Sequence, residues 1–253
     1  YDVNTNTNTM VAWSWKAGGS ASSNSNGSIT SSVSASTDAG FSIVSYTGTG
    51  SDANVGHGLS SAPELIITKS RSTTGDWKVH TSAIDGSWDV GTLNSTSAFG
   101  NSSYTASTNS IFYVGSGAPT NASSVTYVSY LLHSVKGYSK FGSYTGNGSL
   151  DAPFIHLGFK PAWLMIKRTD TTNSWVMFDN KRNAFNVVDK HLFANTTDPE
   201  DSSANYNEVD FLSNGFKLRE DNNTINASGG TYIFMAFAES PFTNSSGIPN
   251  NAR

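Results

Sequence analysis

An internal duplication constrains this chain more than any other feature of its sequence. The segment Ser-Tyr-Thr-Gly-Thr-Gly-Ser at 45–51 returns as Ser-Tyr-Thr-Gly-Asn-Gly-Ser at 143–149, an offset of 98 residues. Three further pairs lie at the same offset: Pro63 and Pro161, Lys69 and Lys167, and Trp77 and Trp175. Self-similarity at a fixed spacing indicates that one structural unit occurs twice.

Short apolar and aromatic runs close both units. Thr-Tyr-Val-Ser-Tyr-Leu-Leu at 126–132 matches Thr-Tyr-Ile-Phe-Met-Ala-Phe at 231–237, and such runs are typical of buried strands. We therefore predict an all-β fold of two tandem β-sandwich or jelly-roll-like repeats, at 40–136 and 137–240, with an extra N-terminal strand. A helical turn is allowed only at 183–193. The strand centres predict a core that includes Leu65, Ile67, Trp163, Met165, Tyr127, Tyr130, Tyr232 and Phe234.

The N-terminal segment resembles the closing strands. Thr-Met-Val-Ala-Trp-Ser-Trp at 9–15 has the same pattern, but no Tyr-Thr-Gly segment precedes it. Residues 1–16 are therefore predicted to be an orphan β-strand from a preceding unit, with an independent strand as the alternative. So apolar a strand must pair with a sheet. Docking on its own chain and donation to a neighbouring copy both remain open.

Two polar stretches flank the repeats. Residues 17–39 are almost wholly Gly, Ser, Ala, Asn and Thr, a composition that predicts a flexible linker. One edge strand is possible there because Ile29 and Val33 share a face at period 2. Residues 241–253 form a polar tail.

Composition narrows the functional classes. Charged residues make up 13% of the chain, about half the usual quarter, and the net charge is −4. We therefore expect no nucleic-acid partner, and no apolar run is long enough for a membrane-spanning helix. The chain has no cysteine, which excludes disulfides and thiolate metal sites. A surface of Ser, Thr, Asn and Gly is common on extracellular and virion β-proteins.

Few residues suggest chemistry. No nucleophile elbow or phosphate loop occurs, and no two histidines have metal-ligand spacing. Asp189-Lys190-His191 is interpreted as a solvated strand edge, and the acidic stretch at 197–201 as a solvated turn rather than a calcium loop. We predict no catalytic residues, no metal site and no cofactor, and hence no enzymatic activity.

The tryptophans leave one candidate binding residue. Trp77 and Trp175 are repeat equivalents within predicted strands, so both are assigned to the core, as is Trp163. Trp88 lies between turn residues and has no equivalent in the other repeat. An exposed indole can stack on the apolar face of a sugar ring. Trp88 is therefore the candidate glycan contact.

Several segments resemble a repeat domain of structural proteins from tailed phages of marine and environmental origin. They include Gly-Phe-Ser-Ile-Val-Ser-Tyr-Thr-Gly-Thr-Gly (40–50), Gly-Tyr-Ser-Lys-Phe-Gly-Ser-Tyr-Thr-Gly-Asn-Gly (137–148) and Asp-Phe-Leu-Ser-Asn-Gly-Phe-Lys (210–217). The resemblance implies a tail or tail-fibre-related protein, located in the virion or outside the cell, and it brings no catalytic residues with it.

Two functions follow as expectations. The first is a non-enzymatic virion component, such as a tail fibre, appendage or decoration, that contacts host surface glycans. The alternative is a secreted carbohydrate-binding β-sandwich module or an extracellular fibre protein. For a fibre component we expect partners among other virion proteins and copies of the same chain, in a homo-oligomer such as a trimer.

Overall fold

The computed structural model describes residues 7, 9–200 and 208–241. Its strands pair antiparallel, and the described residues contain a single helical turn, α1, at Ala118–Asn121. The predicted all-β class with tandem sandwich repeats is confirmed. The helical turn allowed at 183–193 does not form, because that segment is a loop that ends in a two-residue strand.

Eighteen strands make up the described part of the chain. Two precede the first repeat: β1 (Ser22–Asn24) and β2 (Ser31–Ser36). The first repeat contains β3 (Phe41–Thr47), β4 (Ala53–Gly56), β5 (Leu65–Ser70), β6 (Lys78–Thr81), β7 (Asp89–Thr92), β8 (Gly100–Asn101), β9 (Ile111–Val114) and β10 (Thr126–Leu132). The second contains β11 (Ser139–Thr145), β12 (Phe154–His156), β13 (Pro161–Arg168), β14 (Trp175–Asp179), β15 (Leu192–Phe193), β16 (Val209–Leu212), β17 (Gly215–Leu218) and β18 (Thr231–Ala238).

The two repeats share one strand plan. The first main sheet has the order β1-β2-β3-β10-β5-β6-β7-β8, and the second has the order β11-β18-β13-β14-β15. In each repeat the closing strand lies between the first strand and the third. A smaller sheet, β4-β9 or β12-β17-β16, covers the outer face of each main sheet.

A tyrosine pair occupies the same place in each repeat. Tyr46 stacks on Tyr127 with ring centroids 5.3 Å apart, and Tyr144 stacks on Tyr232 at 4.9 Å. Because both pairs are directly opposite in the strand register, the 98-residue sequence offset corresponds to a real structural equivalence. Burial raises the pKa of Tyr144 well above its usual value, so its hydroxyl stays neutral and donates to the Ile225 carbonyl at 2.7 Å.

A buried asparagine closes each repeat. Asn226 is fully buried, accepts a hydrogen bond from the Asn147 backbone amide and donates to the Ser149 carbonyl. Asn121 makes the equivalent bonds to Thr49 and Ser51. The asparagine thus ties the glycine-rich turn after the first strand to the segment before the last strand.

The two main sheets pack face to face over a shared apolar core. Trp175 reaches across from the second repeat, and its indole Nε1 donates to the Thr92 carbonyl at 3.0 Å. The buried members of this core are Phe41, Leu65, Val79, Leu132, Phe141, Trp163, Met165, Trp175, Ile233, Met235 and Phe237. Of the eight strand-centre residues predicted to be core, Ile67 and Tyr130 are only half-buried, and the other six are buried.

The prediction of an orphan strand at residues 1–16 is wrong over its described part. Residues 9–18 form no strand and make no backbone–backbone hydrogen bond with other described residues. Instead Trp15 packs on Trp163 at 5.3 Å, and the Trp13 indole donates to Asp179. This segment resembles the closing strands β10 and β18, which are central strands of their sheets. In both repeats that central position is already occupied, so the segment does not pair there.

The prediction of a flexible linker at residues 17–39 is also wrong, because β1 and β2 extend the first main sheet there. Ile29 and Val33 are buried, as their shared face suggested. Two buried positions of β2 hold serine rather than an apolar residue. The Ser31 hydroxyl donates to the Gly56 carbonyl, and the Ser34 hydroxyl donates to the Gly19 carbonyl. The tail at 241–253 lies outside the described residues except for Pro241.

Candidate functional site on the open face of the first repeat

One face of the first main sheet changes from apolar to polar along three neighbouring strands. Four cross-strand rows run outward from the shared core: Phe41–Leu132–Leu65, Ile43–Tyr130–Ile67, Ser45–Val128–Lys69 and Thr47–Thr126–Arg71. The first row is buried, whereas the outer rows reach solvent. We call the two outer rows, together with the half-buried Trp77 that precedes β6, the open face.

The corresponding face of the second repeat is covered. Lys167 is the repeat equivalent of Lys69, but it is fully buried and its Nζ contacts the Thr96 carbonyl of the first repeat. Phe99 and Asn173 extend this contact by backbone hydrogen bonds to Thr169 and Thr96. The segment between β7 and β8 therefore covers the second repeat, and the duplication leaves one open face rather than two.

Aromatic rings line the boundary of the open face. Trp77 stacks on Tyr130 with centroids 6.4 Å apart, and Tyr130 stacks in turn on Phe41 at 6.5 Å. Beside them an apolar cleft of about 310 Å³ lies between the repeats, within the usual size range of a small-ligand pocket. Its lining residues are Trp15, Phe41, Ile43, Ile67, Tyr130, Leu132, Met235 and Phe237.

Hydroxyl groups dominate the other end of the open face. A groove of about 470 Å³ is lined by Ser23, Thr30, Ser31, Ser32, Ser45, Tyr46, Thr47, Arg71 and Thr126. Ser31 and Tyr46 use their hydroxyls on backbone carbonyls, but the other hydroxyls make no hydrogen bond with described residues. They remain available to hydrogen-bond a ligand.

Two cations lie on the open face, and Asp76, which precedes Trp77, lies near enough that the hydrogen bond from Asn94 and, less strongly, the charge of Lys69 lower the pKa of its carboxyl. Arg71 is exposed, and Lys69 is half-buried with its ammonium donating to the Ser70 carbonyl at 2.8 Å. Neither forms an ion pair with a carboxylate among the described residues. A carboxylate or sulfate group on a ligand would therefore have two cationic partners here.

Trp88, the residue proposed from the sequence as a glycan contact, is not a surface residue. Only 6% of it is exposed, and it packs in the inner core of the first repeat with Phe112 and Val114. The turn residues before it predicted exposure, but the small sheet covers that side. Trp77, which was assigned to the core, is the indole that lies on the open face.

Two histidines of the first repeat, His57 and His80, are held inside it. His57 is fully buried, and its ring nitrogens pair with the Thr108 carbonyl and the Leu59 amide. His80 stacks on Tyr104, and burial lowers its pKa to about 4. Both rings are therefore neutral at pH 7 and belong to the packing rather than to the open face.

Two of the acidic and histidine candidates of the second repeat, His191 and Glu200, contact ionisable side chains of the same repeat. His191 is buried and lies 3.0 Å from Glu208, so the interpretation of 189–191 as a solvated edge is wrong for this residue. Glu200 pairs with Arg182, which also binds the buried Asp179. Asp201 lies outside the described residues. No cluster of three or more metal-ligating side chains occurs among the residues that the structure describes.

The open face was missed in the sequence, although a signal for it exists. Along 41–47 every second residue reads Phe, Ile, Ser, Thr, which is an apolar-to-polar gradient on a single face. The same gradient runs through β5 and, in the opposite direction, through β10. The sequence does not indicate which repeat would have this sheet face covered by the segment between β7 and β8.

Comparison with known proteins places the chain in one family. A family model described as "Domain of unknown function (DUF7483)" matches residues 1–241, and the chain belongs to this family. No curated protein and no solved structure matches it. Among the described residues no helix has the length and apolar character needed to span a membrane.

Proposed function

We propose that the chain is a non-enzymatic display protein of a virion and that it contacts host surface glycans through the open face of its first repeat. The observation that carries this proposal is the open face, where aromatic rings, unpaired hydroxyls and two cations share one side of a rigid sheet. The shared core supports the display role because it fixes both repeats as one body. The location in a virion or outside the cell rests on the resemblance and on the low-charge polar surface.

The chemistry of the open face favours an acidic glycan. Trp77 and Tyr130 offer apolar surface on which a sugar ring can pack, and hydroxyls such as those of Thr47 and Thr126 match sugar hydroxyl groups. Arg71 and Lys69 add charge-assisted hydrogen bonds to carboxylate or sulfate substituents. A neutral glycan would use only the first two kinds of contact and would bind more weakly.

A glycan array with the full chain tests the binding role. Binding should be strongest to oligosaccharides that carry carboxylate or sulfate groups, and it should weaken as salt rises. Arg71→Ala and Trp77→Ala should each lower affinity at least tenfold. Lys181→Ala removes an exposed cation elsewhere and serves as the matched control. Equal binding by Arg71→Ala and the parent chain would contradict the assignment.

The same open face also favours the second candidate, a secreted carbohydrate-binding module. The two candidates differ in where the protein is found. Mass spectrometry of purified virus particles should detect the chain at a fixed copy number per particle if it is a virion component. Its presence only in the culture fluid of uninfected cells would support the secreted module instead.

A further inference from the structure

Among the described residues, one sheet edge is formed by a longer strand than the others. Strand β11 (Ser139–Thr145) has seven residues and pairs along its length with β18; on its other side only Ser139 is paired, in a bridge to Val135 of the same chain. The other strands at sheet edges in the described part of the chain have two to four residues. Proteins commonly keep edge strands short because an open edge is a template for pairing with another strand.

The first repeat shows which strand pairs with the equivalent edge. Strand β3 is the repeat equivalent of β11, residue for residue at the 98-residue offset. Its corresponding edge is covered by β2, with Ser34 opposite Ile43 and Ser32 opposite Ser45. No described residue forms a strand at the matching place beside β11. Beyond the bridge of Ser139 to Val135, the edge of β11 therefore lacks the cover that β2 and β1 give to β3.

The free backbone groups of this edge can be assigned. The Phe141 amide donates to the Ser134 hydroxyl rather than to a strand carbonyl, so it points away from β18. Because amide direction alternates along a strand, the groups of Ser143 and Thr145 point the same way. Both residues are exposed, and no hydrogen bond to their backbone groups comes from a described residue outside β18.

We propose that β11 pairs antiparallel with β11 of a second copy of this chain, with Ser143 opposite Ser143 at the two-fold axis. In this register the two Ser143 residues exchange both backbone hydrogen bonds, and each Phe141 carbonyl accepts from the partner's Thr145 amide. The edge of β11 is thus complementary to itself, as a two-fold symmetric contact requires. Lys140 would face the partner's Gly146, so no like charges oppose each other.

Exposed apolar side chains next to the edge support a protein partner. Leu150 lies in the segment that leaves β11 and is 63% exposed, and Phe154 on β12 is 44% exposed. Strand β12 is adjacent to the edge, because Lys140 of β11 donates to the carbonyl of His156 at 2.7 Å. A second copy would place apolar surface beside the paired strands.

The absence of native cysteine gives a direct test with the full chain. A hydrogen-bonded antiparallel pair has its Cα atoms about 5.5 Å apart, a distance that a disulfide can bridge. Ser143→Cys should therefore give a cross-linked dimer under mild oxidation. Ser45→Cys is the matched control, because its edge is occupied by β2 and it should stay monomeric on a denaturing gel.

Proline substitution tests the same contact without a cross-link. Ser143→Pro removes the central amide, and proline is tolerated on an edge that faces solvent. The parent chain should have twice the 26.9 kDa chain mass by light scattering, and Ser143→Pro should have the monomer mass with its melting temperature within a few degrees of the parent. Ser45→Pro should instead melt at a clearly lower temperature, since β2 needs that edge.

Three results would overturn the proposal. The first is a parent chain that stays monomeric up to near-millimolar concentration. The second is a trimer whose mass is unchanged by Ser143→Pro. The third is a monomer that dimerises only after residues 242–253 are deleted, which would make the chain's own tail the occupant of the edge.

Discussion

Lys69 and Lys167 are equivalent residues of the two repeats, yet one borders an open sheet face and the other is fully buried beneath the Thr96 carbonyl. The difference arises because the segment after β7 contacts the second repeat at Lys167, Thr169 and Asn173 and so covers its face. A duplicated sequence has thus produced one sheet face that is open to solvent and one that is covered.

The buried lysine makes stability depend on pH. Burial lowers the pKa of Lys167 to about 8 from its usual 10.5, so between these values the unfolded chain binds more protons than the folded chain. The free energy of unfolding should therefore rise as pH increases from about 8 to 9.5, below the range where unfolded tyrosines ionise. Urea melts across this range should show the rise in the parent chain and in Lys69→Met, but not in Lys167→Met.

The paired tryptophans should differ in their contribution to stability. Trp175 is 3% exposed and bonded to the Thr92 carbonyl, so Trp175→Ala should cost about 3–5 kcal/mol. Trp77 is half-buried at the rim of the open face, and Trp77→Ala should cost about 1–2 kcal/mol. Chemical denaturation of the two variants would measure both. Equal losses would mean that Trp77 is a core residue after all.

The buried asparagines predict a matched pair of losses. Asn226→Ala removes hydrogen bonds to Asn147 and Ser149 and leaves buried backbone groups unpaired, which should cost about 2–3 kcal/mol. Asn121→Ala should cost a similar amount, because its bonds are equivalent. Asn101→Ala changes an exposed residue and should stay within about 0.5 kcal/mol. Thermal melts of the three variants would measure these differences in stability.

The N-terminal segment is predicted to act within its own chain. Deleting residues 1–16 removes the packing of Trp13 and Trp15 on Trp163, so the free energy of unfolding should fall by about 2–4 kcal/mol. The mass measured by light scattering should follow the shortened chain with no change in the number of copies. Loss of assembly with unchanged melting would show instead that the segment is donated to a neighbour.

The sequence predicted the duplication and the strand centres because apolar runs and glycine turns are local signals. It predicted β2 poorly, since Ser31 and Ser34 satisfy buried positions through hydroxyl bonds that composition cannot reveal. The burial of Trp88 was not predicted for a related reason. The residues beside it indicate a turn, whereas its burial depends on Phe112 and Val114, which are more than 20 positions away.

The open face could be predicted only in part. The alternation along β3 and β5 is readable, and it assigns Lys69 and Arg71 to the face of Ile67. Whether that face meets solvent depends on how two similar sheets pack, and residues 93–99 decide this by reaching Thr169 and Lys167. Such a contact between distant segments leaves no periodic trace in a single sequence.

The order of strands within each repeat has a consequence for synthesis of the chain. Strand β10 leaves the ribosome last in its repeat, yet it inserts between β3 and β5, which are made first. About eighty residues separate the partners β3 and β10, so contact order is high and folding should be slow. Until β10 arrives, β3 and β5 each have an unpaired edge, and the unfinished repeat is the form of this protein most prone to aggregate.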